Sequence, residues 1–252
     1  MKIDLDVLNE FKMLDRDLYR VQCKNWIESK GNGSGASGKT LEEMLGKLPD
    51  RDVLPDYRSI ELKTRNINSK YPLHLFSCAL DNKPLEMKRL LSIGGYPDKN
   101  NPDFKSFMVR VDAISNKKMG RYLFRLNVNN KNEVIELLIM YSNGVIFDKM
   151  SWSFRELRSR LERKLKYLAL VWSMSARAEG KTYFKYYDAN YYTLRGFDTF
   201  LSLVEAGSIT VSFKLTHYHS GEHYGEYLDK GTGFEIREAD IPLLFEPIVV
   251  EH

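Results

Sequence analysis

The sequence predicts an α/β protein in which a mixed β-sheet is flanked by helices. Helical and strand patterns intermix along the 252 residues instead of falling into separate blocks. Hydrophobic residues make up 43% of the chain, which is enough for a large core and excludes a disordered protein. No apolar run approaches the roughly 20 residues that cross a bilayer, so we expect no membrane partner. The length suits one large domain or two lobes that share a cleft. For two lobes we expect an approximate boundary between residues 1–150 and 151–252, with the lobes intertwined.

The first fifty residues predict helices around a glycine-rich loop. Apolar residues at helical spacing predict one or two helices over residues 4–29. Four glycines and two serines between residues 31 and 38 predict a flexible loop. Thr40 with Glu43 three residues later is typical of a capping box, which predicts a short helix from Leu41 to about Leu48.

The rest of the chain alternates between strand and helix patterns. The predicted strands are Ile60–Thr64 with Leu73–Ala79 as its neighbour, the hairpin of Arg121–Val128 and Val134–Met140, and then Leu168–Trp172, Ile209–His217 and Phe234–Arg237. The predicted helices are Phe154–Leu168 and Phe197–Ala206, the second closed by Gly207. Residues 80–103 are rich in proline, glycine and asparagine, which predicts an extended surface excursion.

The charge of the chain bears on its possible partners, and its cysteine content bears on its location. The chain has 38 basic and 34 acidic side chains, a net charge of +4 that is too mild to indicate a nucleic acid by itself. The stretch 152–188 holds nine basic and four acidic residues, which would attract phosphates, although a solvated helix face gives the same pattern. Two cysteines, Cys23 and Cys78, exclude a disulfide framework and favour a reduced, cytoplasmic location.

A phosphate-loop pattern, G-x-x-x-x-G-K-[ST], occurs at residues 33–40. In such a loop, backbone amides would surround phosphates, Lys39 would neutralise them and Thr40 would meet magnesium. The pattern needs a buried strand before it, and the preceding segment here is polar. The segment therefore favours a flexible loop, with nucleotide hydrolysis as a distant alternative.

The pattern P-D-x4-E-x-K, from Pro55 to Lys63, is the strongest indication of catalytic function in the sequence. Glu61 and Lys63 are two residues apart on a predicted strand, so both side chains face the same side of the sheet. Asp56, at the start of that strand, could share a metal ion with Glu61, and the carbonyl of Leu62 could add a further oxygen ligand. Magnesium prefers such hard oxygen ligands.

This residue set suits phosphodiester hydrolysis. Magnesium would stabilise the charge of the transition state and lower the pKa of a bound water. Lys63 would position or help to deprotonate the attacking water, and Glu42 would be a third acid at the edge of the site. The alternative is ordinary surface charge, because E-x-K on an edge strand and P-D in a turn are common.

The arrangement resembles the PD-(D/E)xK nucleases, and within them the MutH and MvaI/BcnI branch of DNA endonucleases. The residues that carry the resemblance are Gly38, Leu41, Glu42, Leu45, Pro55, Asp56, Glu61, Leu62, Lys63 and Thr64. Later segments resemble the MvaI side of that branch in the same order, namely Trp152–Phe154, Lys164–Tyr167, Tyr183–Tyr186, Tyr218–Gly221 and Asp229–Phe234.

The resemblance implies a type II restriction endonuclease. It implies a restriction-endonuclease-like fold in which a catalytic lobe and a DNA-recognition lobe form a cleft, and a Mg²⁺-dependent cut of double-stranded DNA at a short sequence. A monomer and a cognate DNA methyltransferase in the same host are expected with it. Catalytic roles carry over to Asp56, Glu61 and Lys63, and also to Glu42.

The resemblance also implies where bases are read. The family's base-reading positions correspond here to Ser212, Lys214, Lys230 and Glu235. Lysine can donate to guanine, and glutamate can accept from the amino groups of cytosine or adenine. These residue types differ from the arginine-rich set that we associate with the family, so we predict a different recognition sequence.

Other polar residues are candidates on their own chemistry. His219 lies in a polar loop after a strand and is a candidate DNA contact, with a structural turn histidine as the alternative. Lys181 and Lys185 are candidate phosphate contacts. His74, inside an apolar strand, is predicted to be a core histidine.

Three alternatives to the restriction enzyme stay open at this point. A MutH-like endonuclease that nicks one strand in mismatch repair would carry the same E-L-K-T segment. A sequence-specific DNA-binding protein without catalysis would not need Asp56, Glu61 and Lys63 together. A nucleotide hydrolase would use the phosphate-loop pattern instead.

Overall fold

A computed structural model of the protein describes residues 3–33, 35–47 and 54–250. In chain order its elements are α1 (Leu5–Gln22), β1 (Ile27–Glu28), α2 (Ala36–Met44), β2 (Ile60–Asn66), β3 (Leu73–Ser77), α3 (Lys83–Gly94), β4 (Tyr96–Pro97), β5 (Lys105–Val111), β6 (Lys117–Met119), β7 (Tyr122–Asn129), β8 (Val134–Met140), β9 (Ile146–Ser153), α4 (Phe154–Leu165), β10 (Tyr167–Ala178), β11 (Lys181–Leu194), α5 (Phe197–Glu205), β12 (Ile209–His217), β13 (Tyr227–Asp229), β14 (Gly233–Ile236), a 3₁₀ turn (Glu238–Asp240), α6 (Ile241–Leu244) and β15 (Phe245–Ile248). Helices and strands intermix, which confirms the α/β class.

The chain divides into two compact units that interleave in sequence. The first unit comprises Met1–Tyr71, Arg160–Arg195 and Leu244–His252, and the second comprises Pro72–Ser159 and Gly196–Leu243. Both units draw on residues from either side of position 150, where the sequence suggests an approximate boundary between intertwined lobes. The physical reason is strand pairing: β10, from the later part of the chain, pairs with β2 from the earlier part.

The first unit is built on a five-stranded sheet in the order β1-β11-β10-β2, with β15 also paired to β11. β10 is antiparallel to β11 and parallel to β2, with Tyr167 opposite Ile60 and Leu170 opposite Lys63. Apolar side chains of α1, α2 and the sheet form one core cluster, including Phe11, Leu14, Leu18, Leu41, Ile60, Leu62, Ala169 and Val171. Side chains that alternate with Ile60 and Leu62 on β2 therefore lie on the opposite face from this cluster.

The second unit holds two further sheets. One has the order β3-β14-β12-β5-β4, with β13 also paired to β12, and the other is the antiparallel meander β6-β7-β8-β9. On β12 the side chains of Val211, Phe213 and Leu215 are buried, and Thr210, Ser212 and Lys214 alternate with them. One face of this sheet is therefore apolar core, and the other carries polar side chains.

Several predicted elements are confirmed. β2, β12 and β14 lie where strand alternation predicts them, and β7 and β8 form the predicted hairpin. α5 ends at Glu205, and Gly207 follows its C-cap with a φ of +72°, as a closing glycine requires. No helix in the described ranges is both long and apolar enough to traverse a bilayer.

Two predictions about the second unit are wrong. The predicted excursion at residues 80–103 contains α3, because a proline in the first turn needs no donor and Met87, Leu90 and Leu91 bury an apolar face. β3 pairs with β14 and not with β2. Neighbouring segments in sequence pair often, but here the two strands belong to different units. The strand β5 was not predicted.

Two helix boundaries also differ from the predictions. α2 begins at Ala36, so Thr40 lies inside the helix: its hydroxyl donates to the carbonyl of Ala36 at 2.7 Å and accepts from the amide of Lys30 at 3.0 Å. The predicted end near Leu48 lies outside the described residues. α4 ends at Leu165, and Leu168 is buried in β10 instead.

Candidate active site

Strand β2 places the E-x-K pair on one face, as strand alternation predicts. Lys63 Nζ lies 3.2 Å from Glu61 Oε1. The Glu61 side chain is 3% exposed and that of Lys63 is 14% exposed, so the pair is shielded from water. β2 ends the sheet and pairs with β10 on one side, which leaves its other edge for the segment that precedes it.

Asp56 lies at that other edge. Its Oδ2 accepts a hydrogen bond from the amide of Leu62 at 3.2 Å, and its Oδ1 lies 2.8 Å from Lys47 Nζ. The Asp56–Lys47 pair is also shielded, with side chains 14% and 17% exposed. The turn before β2 therefore holds Asp56 against the middle of the strand and close to Glu61.

A second lysine reaches Glu61 from the last turn of α4. Lys164 Nζ lies 3.5 Å from Glu61 Oε1, the same oxygen that Lys63 contacts. The helix feeds directly into β10, and β10 runs parallel to β2, so the end of α4 lies beside the start of β2. Two ammonium groups thus converge on one buried carboxylate.

Burial and the charges of the two neighbouring lysines act in opposite directions on the pKa of Glu61. Burial raises the pKa of Glu61 to about 7, Lys63 and Lys164 oppose the rise, and the charge of Asp56 adds to it. Glu61 Oε2 is buried and has no hydrogen-bond partner among the described residues. A buried oxygen without a partner beside a second carboxylate fits a divalent cation, which would favour the charged form of both groups.

Few acidic side chains lie close enough to Glu61 to share a metal ion with it among the described residues. In the ranges that the structure describes, no three or more Asp, Glu, His or Cys side chains are grouped to hold a metal ion. Glu42, the predicted third acid, is half-buried on α2. A Cβ placed on Gly38 would lie 3.7 Å from Glu42 Oε1 and 3.8 Å from Thr64 Oγ1. Thr64 alternates to the face of β2 opposite Glu61, so the participation of Glu42 stays a prediction.

The phosphate-loop segment does not follow a buried strand of useful length. It comes after β1, which has two residues, and its second half forms the first turns of α2. Lys39 lies within that helix, where its stem packs against Gly31: a Cβ on Gly31 would meet Lys39 Cδ at 3.1 Å. The geometry favours a helix start over a phosphate cradle.

The predicted base-reading residues lie in the second unit, on the polar face of the sheet that contains β12 and on the turn after β13. Ser212 is 6% exposed, and Lys214 Nζ lies 3.2 Å from Glu235 Oε1. Glu235 is 4% exposed and also accepts from the guanidinium of Arg110, at 2.8 Å from Nε and 2.7 Å from Nη2. Lys230 is exposed in the turn before β14, and its amide donates to the carbonyl of Lys214 at 2.9 Å.

Two histidines border this face. His74 was predicted to be a core residue, and this is wrong: its side chain is 37% exposed, and its Nδ1 lies 3.9 Å from Glu235 Oε1. The apolar residues of β3 alternate with His74, which puts it on the polar face. His219 Nε2 lies 3.7 Å from Asp98 Oδ2. A hydrogen bond from Ser106 and backbone amides lower the pKa of Asp98 to about 2, so this carboxylate is charged.

The two predicted phosphate contacts on β11 lie in the first unit. Lys181 is exposed, and its Nζ is 3.0 Å from Glu28 Oε2, which raises the pKa of Lys181. Lys185 lies over the ring of Tyr187, with Nζ 5.3 Å from the centroid. Neither lysine contacts the Glu61 group in the described structure, so a role for them would be in binding and not in chemistry.

Sequence reasoning missed Lys164 and Arg110 as members of these clusters. Lys164 lies in the segment Lys164–Tyr167 that resembles the family, but nothing local links it to Glu61. Arg110 occupies one exposed position of an alternating strand, a pattern that many surface arginines share. Only strand pairing brings either residue to its carboxylate.

Comparisons with known proteins agree with this geometry. No curated protein sequence matches the chain. The solved complex of restriction endonuclease MvaI with a cognate DNA substrate is similar over 99% of this chain and 100% of that chain, with a TM-score of 0.87 and 27% identity. MvaI without DNA is similar over the full length of both chains, with a TM-score of 0.62 and 25% identity.

A family model extends the likeness from the site to most of the chain. The model for the MvaI/BcnI restriction endonuclease family matches residues 16–245, which include Asp56, Glu61, Lys63 and the polar face of the second unit. Enzymes of this family generally use a divalent metal ion. The chain therefore belongs to the MvaI/BcnI restriction endonuclease family and is a type II restriction endonuclease, a site-specific deoxyribonuclease.

Proposed function

We propose that this endonuclease hydrolyses both strands of double-stranded DNA at a short specific sequence, with Mg²⁺ held by Asp56, Glu61 and the carbonyl of Leu62. The observation that carries the proposal is the buried Glu61 carboxylate, whose Oε1 faces two lysines and whose Oε2 has no hydrogen-bond partner among the described residues. A protein retains such a group for a ligand or for chemistry, since burial of a charge is otherwise costly.

The strand geometry supports Leu62 as an oxygen donor. The Leu62 amide points to Asp56 on the free edge of β2. The N–H and C=O of one residue in a strand point to the same edge, so the Leu62 carbonyl is directed to the Asp56 side as well. Two carboxylates and a carbonyl are the hard oxygen ligands that Mg²⁺ prefers, and Mg²⁺ usually keeps several waters besides.

The chain's own groups would share the work at the phosphodiester. When bound, Mg²⁺ supplies positive charge that stabilises the transition state of phosphoryl transfer. Lys63, fixed at Glu61, would orient the attacking water and stabilise the charge that develops on the phosphate oxygens. Lys164 reaches the same carboxylate and would add positive charge for the scissile phosphate. Lys47 holds Asp56 and would have to share Oδ1 with the metal ion.

The polar face of the second unit supports a role in sequence recognition. We propose that Ser212, Lys214, Lys230 and Glu235 belong to the surface that reads bases, with His219 as a further DNA contact at its border. Lys181 and Lys185 would contact phosphates, since both are basic groups on one strand with exposed or half-exposed side chains. The residue types on this face are the reason to expect a recognition sequence different from those of other family members.

We propose that the enzyme acts as a monomer, that its host protects the same sequence with a DNA methyltransferase, and that it works in the cytoplasm. The two cysteines support a reduced location, because both are free, with Cys23 exposed and Cys78 buried.

Digestion of a sequenced plasmid tests the function directly. In Mg²⁺ we expect linear fragments whose mapped ends share one short sequence, and no cleavage when a chelator is present. An open circle that is never linearised would favour the MutH-like nicking alternative. Sequence-specific binding with every plasmid intact, whatever divalent ion is supplied, would favour the non-catalytic DNA-binding alternative and contradict the proposal.

Replacement of Lys164 tests the residue that the sequence alone did not reveal. We expect Lys164→Ala to lower the rate of plasmid cleavage by about 100-fold, the size of effect for a group that stabilises developing charge. Lys166→Ala is the matched control, because Lys166 is exposed and its Nζ lies over the ring of Tyr167, 5.4 Å from the centroid. Equal rates for the two variants in single-turnover measurements would remove Lys164 from the site.

A further inference from the structure

Glu235 is an unusual base-reading residue because its carboxylate is covered. It is 4% exposed, and three side chains from β3, β5 and β12 of the same sheet surround it. Arg110 donates to Oε2 from Nε and Nη2, Lys214 contacts Oε1 at 3.2 Å, and His74 Nδ1 lies 3.9 Å from Oε1. A carboxylate that accepts from a base amino group must present an oxygen outward, and here both oxygens face cationic or ring nitrogens of the protein.

The strands hold this group in a fixed register. Glu235 on β14 lies opposite His74 on β3, and Arg110 on β5 lies opposite Ser212 on β12. The close approach of β3 to β14 depends on Gly233, where a Cβ would collide with the His74 ring and the backbone of Phe76. The Glu235 carboxylate is therefore held rigidly in the sheet, and it can fix the orientation of the side chains that contact it.

Within this cluster, Arg110 is the residue whose guanidinium can present N–H donors to a ligand in solvent. Its side chain is 41% exposed, against 5% for the Glu235 side chain beneath it. A guanidinium has five N–H donors in a planar fork, and the contact with Glu235 uses the Nε side. The opposite edge, formed by Nη1 and the second hydrogen of Nη2, points away from the carboxylate because the fork is planar.

We propose that Arg110 is a specificity-determining residue that donates from this edge to O6 and N7 of a guanine in the major groove, and that Glu235 is the positioning residue that orients it. The proposal rests on the proposed function of this face as the base-reading surface. It replaces a direct contact between Glu235 and a base with an indirect one through Arg110.

Guanine fits this edge better than a backbone phosphate does. A planar pair of N–H groups matches the O6 and N7 acceptors of guanine, which is the commonest specific contact of arginine with DNA. Arginine also binds phosphates through two N–H groups, but a phosphate accepts the point charge of lysine as well. The O6 and N7 atoms of guanine lie in the plane of the base, so a buried carboxylate that sets the plane of the guanidinium favours a base contact.

Cleavage of a randomised DNA library, with the ends sequenced, tests the proposal. We expect Arg110→Lys to lose preference by about 10- to 100-fold at one G·C pair of the site, with other positions unchanged, because lysine keeps the charge but not the planar fork. Arg121→Gln is the matched control, since Arg121 is exposed in the turn between β6 and β7. If the wild-type enzyme cuts no sequence, the proposed function itself is contradicted. That result differs from a wild-type enzyme that cuts and an Arg110→Lys variant with unchanged preference, which would contradict only the role of Arg110.

The salt dependence of binding in Ca²⁺ separates a base from a phosphate. For Arg110→Gln, which removes the charge, we expect the slope of log K against log salt to stay that of the wild type and the loss of affinity to be confined to DNA that carries the G·C pair. A uniform loss of affinity across all sequences for Arg110→Gln, with the slope reduced by about 1, would identify a phosphate contact and overturn the proposal.

Glu235→Gln tests the positioning role. The amide keeps the shape but weakens the hold on Arg110, so we expect relaxed preference at the same G·C pair that Arg110→Lys affects. The double variant should lose no more than the larger single effect, because both changes act through one contact. If Glu235→Gln changes preference at a different base pair, or if the two losses add, Glu235 reads its own base and the proposal is wrong.

Discussion

Asp56→Ala is expected to abolish plasmid cleavage, with a loss of at least about 1,000-fold, while binding of DNA in Ca²⁺ persists. A loss of this order is typical when one member of a catalytic group that acts as a unit is removed. Asp56 is one of the two carboxylates of the proposed metal site, and its hydrogen bond from the Leu62 amide holds it at the strand that carries Glu61. The measurements are single-turnover cleavage in Mg²⁺ and a binding titration in Ca²⁺.

Two further variants make the Asp56 result interpretable. Asp56→Asn retains an oxygen that can accept from the Leu62 amide, so it removes the charge with less disturbance of the turn. Glu43→Gln is the control, because Glu43 is exposed on α2 and one helical position from Glu42. Cleavage retained by Asp56→Asn at the wild-type rate would show that the carboxylate has no part in chemistry.

Trp152→Ala is expected to lower the free energy of unfolding by about 4 kcal/mol, the usual cost of truncating a buried aromatic side chain. Trp152 is fully buried in the second unit and packs its ring against Phe213 and Phe234. Its Nε1 donates to the carbonyl of Cys78 at 3.1 Å, so the truncation also leaves a buried acceptor without its donor. Denaturant unfolding followed by circular dichroism measures the change.

Trp26→Ala provides the matched comparison. Trp26 is 40% exposed, so removal of its ring is expected to cost about 0.5 kcal/mol or less. Phe234 immediately precedes Glu235, so a loosened Trp152 contact should also broaden the spectrum of cleaved sites. Equal destabilisation by the two substitutions would contradict the packing of Trp152 against Phe213 and Phe234.

The grouping of Asp56, Glu61 and Lys63, the proposed catalytic residues, was predictable because their relation is local. Glu61 and Lys63 are two residues apart, and alternation along any strand puts them on one face. Asp56 is five residues before Glu61, close enough for one turn to return it to the strand edge. The strand β12 was predictable for the same reason, since Val211, Phe213 and Leu215 alternate with polar residues.

Local patterns failed where a second principle decided the structure. The prolines and glycines of residues 80–103 indicate loops, yet Met87, Leu90 and Leu91 bury enough apolar surface for α3 to form. His74 differs from these cases, because its alternation with the apolar neighbours Leu73 and Leu75 already places it on the polar face of β3. Thr40 looks like a cap, but its hydroxyl bonds inside a helix that begins at Ala36.

The sequence by itself determined that Asp56, Glu61 and Lys63 lie close together, because backbone geometry relates residues a few positions apart. The tertiary structure alone decided that Lys164 shares Glu61 and that Arg110 covers Glu235, about 100 and 125 positions away. Such contacts depend on which strands pair and in what register. The free energy that stabilises this strand pairing comes from packing across the whole core, so no single segment of the sequence reveals it.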